Sequence, residues 1–395
     1  MIARLATSGL GYASSLTLNR WTLSCWTLSC WILGCWVLAP TLSQAQIIPR
    51  VNLNTSYTDN LFQSYNQRSD WINQAYIDLD YVFDGPFNLY YNGSANQFNE
   101  NGDLFSHTHQ LGLGYVKQWD QRNLLQIGTD LSTRLDRPVY QYRDMVEAST
   151  YINAKFYLRP EWLARSGYSL SYLEYINAGS YSFFEQSAFF QLSRFLSSRT
   201  TVQLRTELGL KTYAQSANTE DILLPVRAGE SRNLLQWVGR FKVAQSLGDY
   251  TGLQIEHRKR ANLSGRSRYT DVAFYNPDDD LFDDRYSYQG DSLGATLKHI
   301  APLEVDLEAS GQLESRRYTG RLALDLVGEP LPSGATRQDT RQTLRLAAGK
   351  DFYLNQGPAQ TVRLQLQWLY RNTDSNDPYY NADARTYTAG LSFEF

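Results

Sequence analysis

The sequence predicts an all-β chain: a transmembrane antiparallel up-and-down β-barrel of about sixteen strands, behind a removable N-terminal segment. Three observations carry that expectation. Beyond residue 45, apolar side chains recur at every second position, segment after segment, with no long stretch of 3.6-residue periodicity. The connections between these segments alternate between short and long. Aromatic residues make up 14% of the chain, 28 of them tyrosine, yet mean hydropathy is −0.45. A helical membrane protein would be far more apolar, whereas a barrel needs grease only on its outer face.

Residues 1–45 read as a signal peptide. Arg4 and Arg20 supply positive charge, and Trp21 to Ala39 is apolar with the near-repeat WTLSC-WTLSC-WILGC. Leu42-Ser43-Gln44-Ala45 places small residues at the −3 and −1 positions of a cleavage site before Gln46. The alternatives are a retained helix, since the apolar run is long enough to span a bilayer, and lipidation at Cys35 after Ile32-Leu33-Gly34. All three cysteines, Cys25, Cys30 and Cys35, lie in this segment, so the exported chain has none and no disulfide framework. That suits passage through an oxidising periplasm. Loss of Arg4 and Arg20 leaves 35 basic against 40 acidic residues, a net charge of −5. Such a balance gives nucleic-acid binding no electrostatic support.

The barrel region, 46–395, opens with Val51, Leu53, Thr55 and Tyr57, followed by Ala75 to Phe83 and Phe87 to Gly93. Asp84-Gly85-Pro86 separates the last two as a tight-turn signal. Leu111 to Trp119, Leu125 to Thr133 and Ala148 to Leu158 complete six strands. Tyr168 to Tyr172, Ala188 to Leu192, Val202 to Leu210 and Leu235 to Val243 mark the seventh to the tenth. Leu253 and Ile255 mark a weak eleventh, then Leu293 to Leu297, Leu303 to Leu313, Leu344 to Ala348 and Val362 to Tyr370. The final strand makes sixteen, an even number that brings both ends of the barrel to one side of the membrane. Short connections such as Asp120 to Arg122 and Leu247 to Tyr250 read as periplasmic turns; Gln215 to Glu230, Ala261 to Arg285 and Thr319 to Arg337 read as outer loops. Trp119 and Trp237, near strand ends, suit interfacial girdles.

In the last strand, Tyr387, Ala389, Leu391, Phe393 and Phe395 share one face. This resembles the C-terminal strand of bacterial outer-membrane β-barrels, where alternating apolar residues and a final Phe form the insertion signal. The resemblance implies that Tyr387, Leu391, Phe393 and Phe395 serve that role, with the barrel-assembly machinery, outer-membrane lipids and lipopolysaccharide as partners.

The opposite faces carry charge. They show Arg205, Glu207 and Lys211 on strand nine, Arg240 and Lys242 on strand ten, and Glu256 and Arg258 on strand eleven. Strand thirteen shows Glu304, Asp306, Glu308 and Glu314, strand fourteen Arg345, and strand fifteen Arg363 and Arg371. Counting up from the turns sets Arg240 level with Arg258, Lys242 level with Glu256, and Glu308 close to the height of Arg345. Arg205, Glu207, Arg240, Lys242, Glu256, Arg258, Glu308 and Arg345 are the expected pore-lining residues. Such rows either bias the passage of charged solutes or pair off and hold a lumen in register.

His107-Thr108-His109 puts two imidazoles on one strand face without a third ligand nearby, so a metal pair competes with a solvated strand end. Asn276 to Asp284 resembles a calcium-binding run but lacks the EF-hand spacing. No G-x-S-x-G, H-E-x-x-H or phosphate loop is present, and neither a cofactor nor an enzymatic role is expected. The whole exported chain resembles a bacterial outer-membrane β-barrel of about sixteen strands. Ser56-Tyr-Thr-Asp-Asn-Leu-Phe62 is also similar to the first strand-to-loop passage of barrels from surface-polysaccharide and surface-lipoprotein export systems. The periplasmic helical-repeat domain of such exporters is missing, and Arg137 to Met145 is short for the inward-folded third loop of diffusion porins. The resemblance implies a channel passing small solutes or an exported polymer. A non-conducting structural or assembly barrel and a barrel-embedded hydrolase are the alternatives, with export-system partners or a homo-oligomer as associations. If the segment before Gln46 is a signal, N-terminal sequencing of protein recovered from outer membranes will begin near Gln46; a chain starting at Met1 or lipidated at Cys35 refutes it.

Overall fold

The computed structural model describes residues 46–216, 231–269, 285–354, 357 and 359–395. Residues 1–45, expected to be an export signal, and the acidic run from Asn276 to Asp284 lie outside the described residues. The first eight strands are β1 (Gln46–Thr58), β2 (Asp70–Val82), β3 (Phe87–Phe98), β4 (Ser106–Gln118), β5 (Leu124–Asp136), β6 (Met145–Arg159), β7 (Trp162–Tyr175) and β8 (Phe183–Phe195). The others are β9 (Thr200–Tyr213), β10 (Asn233–Ser246), β11 (Thr251–Ser264), β12 (Tyr288–Ala301), β13 (Val305–Leu322), β14 (Thr336–Tyr353), β15 (Thr361–Ser375) and β16 (Ala382–Glu394). Every strand pairs antiparallel with its chain neighbours, and β1 pairs with β16 to close the barrel, in register from Arg50 opposite Glu394 to Thr58 opposite Thr386. The expected sixteen-strand barrel is therefore the observed one.

The two-residue alternation explains why this sheet closes. On the outside Leu53, Leu111, Leu131, Leu204, Leu293, Leu344 and Leu366 lie about half exposed, while Lys211, Gln236, Glu314 and Arg341 are buried within. This is the reverse of a soluble sandwich, whose core rejects unpaired ions. It fits a wall with lipid on one side and polar groups on the other. At the end where the short turns lie, Trp119 stacks on Phe156 with ring centroids 5.5 Å apart. At the opposite end Tyr57 meets Trp71 at 5.2 Å, and Trp237 donates to Thr206 at 2.8 Å. Amphipathic rings thus sit at both rims.

Local chemistry sets the turns. Asp120 Oδ1 accepts from the Arg122 and Asn123 amides at 2.7 and 2.8 Å, closing the β4–β5 turn and holding this carboxyl below its usual range. One turn differs from the sequence expectation. Leu303 and Glu304, expected on the thirteenth strand, instead form a short 3-10 turn with Pro302 and adopt φ of 65° and 59°. Pro302 has no N–H for the ladder, so pairing restarts at Val305 and Glu304 leaves the inner wall. The segments weakest in sequence, β7 and β11, are full strands of 14 residues each. Strands β13 and β14 run to 18 residues, more than a tilted crossing of about 9–11 needs.

The last residue stays in the seam: the Phe395 amide donates to the Pro49 carbonyl at 3.2 Å. Replacing Phe395 with Asp puts a charge at the lipid boundary beside the closing strand. Assembly should slow, read as a smaller fraction of heat-modifiable barrel in outer membranes. Wild-type amounts of folded F395D would count against this role.

Candidate functional site

Parity on each strand decides which side chains meet across the lumen wall. Leu204 and Leu208 face outward on β9, so Arg205, Glu207 and Lys211 face inward. The register then sets Arg205 opposite Arg240, Arg240 opposite Arg258, Arg258 opposite Ser292, Ser292 opposite Glu314, and Glu314 opposite Arg341. One row across six strands therefore begins with three adjacent guanidinium groups. Like charges directly opposite are destabilising, and each of these has a carboxylate in reach. Arg205 donates to Glu207 at 2.9 Å and Arg258 to Glu314 at 3.1 Å, while Arg240 lies 3.4 Å from Glu256. Arg205 also stacks 3.9 Å from the Phe189 ring centroid.

The other expected lumen residues fall into the same pattern. Lys242 sits opposite Glu256, with their charges 3.9 Å apart. Arg345 pairs with Glu308 and donates to Gln367 at 2.8 Å; Lys298 approaches Glu308 at 3.1 Å. Arg363 bridges Asp306 at 2.9 Å and Asp351 at 2.7 Å. Lys211 lies over the Phe183 and Tyr213 rings at 3.9 and 4.8 Å. Arg371 donates to Gln63 at 2.6 Å.

Sequence reasoning passed over Arg260, Arg316, Arg341, Glu185 and Arg285. Continuing the parity of β11 past Arg258 and of β13 past Glu314 would have found Arg260 and Arg316. Arg285 belongs to a loop, and only the fold brings it to the wall. Arg260 and Arg316 flank Gly290 across three strands, and both sit over the Tyr288 ring, at 4.8 and 4.4 Å. Arg316 also donates to Glu314 at 3.0 Å. Among the described residues, Nε and Nη1 of Arg260 are buried without a hydrogen-bond partner.

The outer mouth over β7 to β15 is packed with Arg–Tyr and Arg–carboxylate contacts. Arg285 pairs with both Glu185 and Glu207, and the Tyr286 hydroxyl donates to Glu185 at 3.1 Å. Burial opposes the charge on Arg285, but Glu185, Tyr286 and Glu207 outweigh it and hold the guanidinium above its ordinary pKa. Arg268 donates to the carbonyls of Ser180 and Gln215 and lies 4.1 Å from the Tyr213 ring. Arg337, fully buried, is paired with Asp339 and lies between the rings of Tyr318 and Tyr380 at 4.3 and 3.4 Å.

The histidines lie on the outer face. His107 and His109 bond to each other at 3.0 Å, and His109 meets the Tyr91 hydroxyl at 2.7 Å. Among the described residues no group of three metal-ligating side chains occurs. His257 approaches Asp291 at 3.3 Å, but among the described residues no serine hydroxyl is hydrogen-bonded to any histidine. On β16, Tyr387, Leu391 and Phe393 face outward, with Tyr387 51% exposed.

No protein-family model matches the chain, and no curated protein matches its sequence. Solved structures match its fold. OccAB1 of Acinetobacter baumannii aligns with a TM-score of 0.52 at 9% identity, covering 90% of this chain and 97% of that one. The outer membrane protein OpdK of Pseudomonas aeruginosa aligns at 0.51 and 12% identity, covering 89% and 98%. OccK2 (OpdF) of the same organism aligns at 0.51 and 10% identity, with the same coverage. At these identities the likeness is one of fold. The closed wall, its apolar outer face and this likeness are those of a bacterial outer-membrane β-barrel.

Among the glycines of the arginine-rich wall Gly290 is the most crowded: an added Cβ would overlap the Ser315 carbonyl oxygen. That oxygen is backbone and cannot swing aside. Gly290→Ala should therefore destabilise the folded barrel by about 1–3 kcal/mol, measured by urea titration in lipid vesicles. An unchanged midpoint would show that β12 and β13 separate more easily than this contact implies.

Proposed function

We propose that the protein is an outer-membrane channel for small solutes, with a mild preference for anions. The observation that carries this reading is the inward row Arg205–Arg240–Arg258. Among the expected pore-lining residues Arg205, Arg240, Lys242, Arg258 and Arg345 outnumber Glu207, Glu256 and Glu308, although the exported chain is acidic as a whole. Arg260 adds a further cation with buried unpaired donors among the described residues. In a passage with low-dielectric walls a small excess of one sign biases entry more than on an open surface. Increasing salt weakens the bias. An exported polyanion is the larger occupant the same arc would accept.

The contacts of Arg268, Arg285 and Tyr286 support a second reading. They draw both legs of the β11–β12 loop onto β7 to β10, as a non-conducting barrel with a filled mouth would require. Planar-bilayer recordings separate the two: stable ohmic steps support the channel, and silence supports the filled barrel. Hydrolysis has the least support, because the four histidines sit on the lipid-facing side without a bonded serine among the described residues.

For the anion preference, the measurement is reversal potential across a salt gradient. Wild type should be mildly anion-selective, less so at high salt, and Arg240→Glu with Arg258→Glu should shift it toward cations. Cation selectivity in wild type, or no change in the double variant, would mean that these arginines only pair with neighbouring wall charges.

A further inference from the structure

On the lipid-facing side of β11 to β13 the apolar belt gives way abruptly to charge. Leu293 and Leu313 face each other across β12 and β13, both half exposed. One step of two residues toward the long loops reaches Asp291 and Ser315, also opposite each other; the next reaches Gln289 and Arg317. On β11 the same steps lead from Ile255 to His257 and Lys259, and Lys259 stands opposite Asp291. His257 Nε2 lies 3.3 Å and Lys259 Nζ 3.8 Å from Asp291 Oδ1, and all three side chains are about half exposed. Arg317 is exposed, and among the described residues its side chain has no ion-pair or hydrogen-bond partner.

Charges on a lipid-facing wall are costly within the hydrocarbon, so this patch marks the level of the headgroups. Two permanent cations, Lys259 and Arg317, stand there against one carboxylate. The lipid-facing rim on β1 and β16 has the opposite balance: Arg385 lies 3.8 Å from Asp59 and 3.7 Å from Asp383. An aromatic face borders the cationic patch. The register sets Gly239 of β10 opposite Lys259, and a Cβ on Gly239 would meet the Trp237 ring at 2.6 Å. The missing side chain therefore lets the indole lie over Gly239, while its Nε1 is anchored on Thr206 at 2.8 Å. Neighbouring strands stand about 4.8 Å apart, which separates Lys259 from Arg317 by about 10 Å across the sheet. Both have long flexible stems that carry their charge outward to one headgroup.

We propose that this patch on the outside of β10 to β13 docks the phosphorylated sugar headgroup of an outer-leaflet glycolipid, lipopolysaccharide. Lys259 and Arg317 receive the phosphate oxygens, the Trp237 indole backs a sugar ring, and Leu293 and Leu313 receive the acyl chains. Asp291 holds Lys259 and His257 against the wall without neutralising the patch. Cations at headgroup level attract anionic lipids, but a phospholipid brings no sugar to the indole. A glycolipid without phosphate leaves the two cations without a counter-charge. The patch lies on the far side of the wall from the lumen, so the inference holds whether or not the barrel conducts.

The test uses full-length barrel purified in detergent and native mass spectrometry. The probes are bisphosphorylated lipid A, lipid A stripped of its phosphates, and phosphatidylglycerol, with inorganic phosphate as competitor. Wild type should retain bisphosphorylated lipid A about tenfold more tightly than either other lipid, and excess inorganic phosphate should not displace it. Lys259→Gln combined with Arg317→Gln should bring the bisphosphorylated form down to the level of the stripped one. Trp237→Leu should narrow the preference for lipid A over phosphatidylglycerol and keep the dependence on phosphate. Arg385→Gln should change neither ratio. The two sets of substitutions remove different preferences, so general misfolding cannot imitate both, and heat-modifiability checks that each variant is a folded barrel. Equal retention of lipid A and phosphatidylglycerol by wild type overturns the proposal. Displacement by free phosphate, or an unchanged ratio in the Lys259 and Arg317 double variant, overturns it as well.

Discussion

Everything in this structure depends on one constraint: lipid offers no partner to a backbone N–H or carbonyl. A sheet with free edges cannot persist there, so β1 must find β16 across the whole length of the chain. The seam is polar inside, with Ser56 and Thr388 hydroxyls 2.8 Å apart and Arg50 between Asp80 at 3.1 Å and Glu394 at 3.5 Å. On the outside it continues the greasy belt through Leu53 and Leu391. Closing the seam creates the distinction between lipid face and lumen that gives every other side chain its role.

That distinction allows the lumen to carry charges no soluble core would accept. The wall is not uniform, however. From β1 to β4 it is lined mainly by neutral polar groups, such as Gln74 donating to Asn96 at 2.9 Å and Ser94 beside Thr108 at 2.6 Å, with Arg50, Asp78 and Asp80 charged toward the short turns. From β9 to β15 it is lined by arginines and their carboxylates. The two halves suit different tasks. Amide and hydroxyl ladders hold register without a field, whereas unequal charge rows impose one on whatever enters.

The loops extend the same asymmetry. On the charged side, Arg268, Arg285 and Arg337 turn the outer mouth into a buried network of guanidinium, phenol and carboxylate groups. Pairs of this kind contribute little net stability because desolvation opposes the attraction. Their effect is to specify one arrangement of the loop legs, since removing either partner strands a buried charge. On the neutral side the first loop is fixed through Asn60, by amide bonds rather than ions.

Period-two patterning alone determined the fold class, the strand count, and even the level of Arg240 with Arg258 and of Lys242 with Glu256. It did so because in an antiparallel wall each turn fixes the register of the two strands it joins. The reading failed at Glu304, where Pro302 shifts the start of the ladder, and stopped short of Arg260 and Arg316, where the apolar stripe fades before the strand does. Only the tertiary structure decided what meets across turns and loops. It brought Arg205 beside Arg240, Arg285 to Glu185 and Glu207, and Gln63 to Arg371. Those contacts join residues whose spacing in the chain carries no periodic signal. They exist because closure of the barrel and inward folding of its loops bring distant segments to one height, and local propensity contains no record of that.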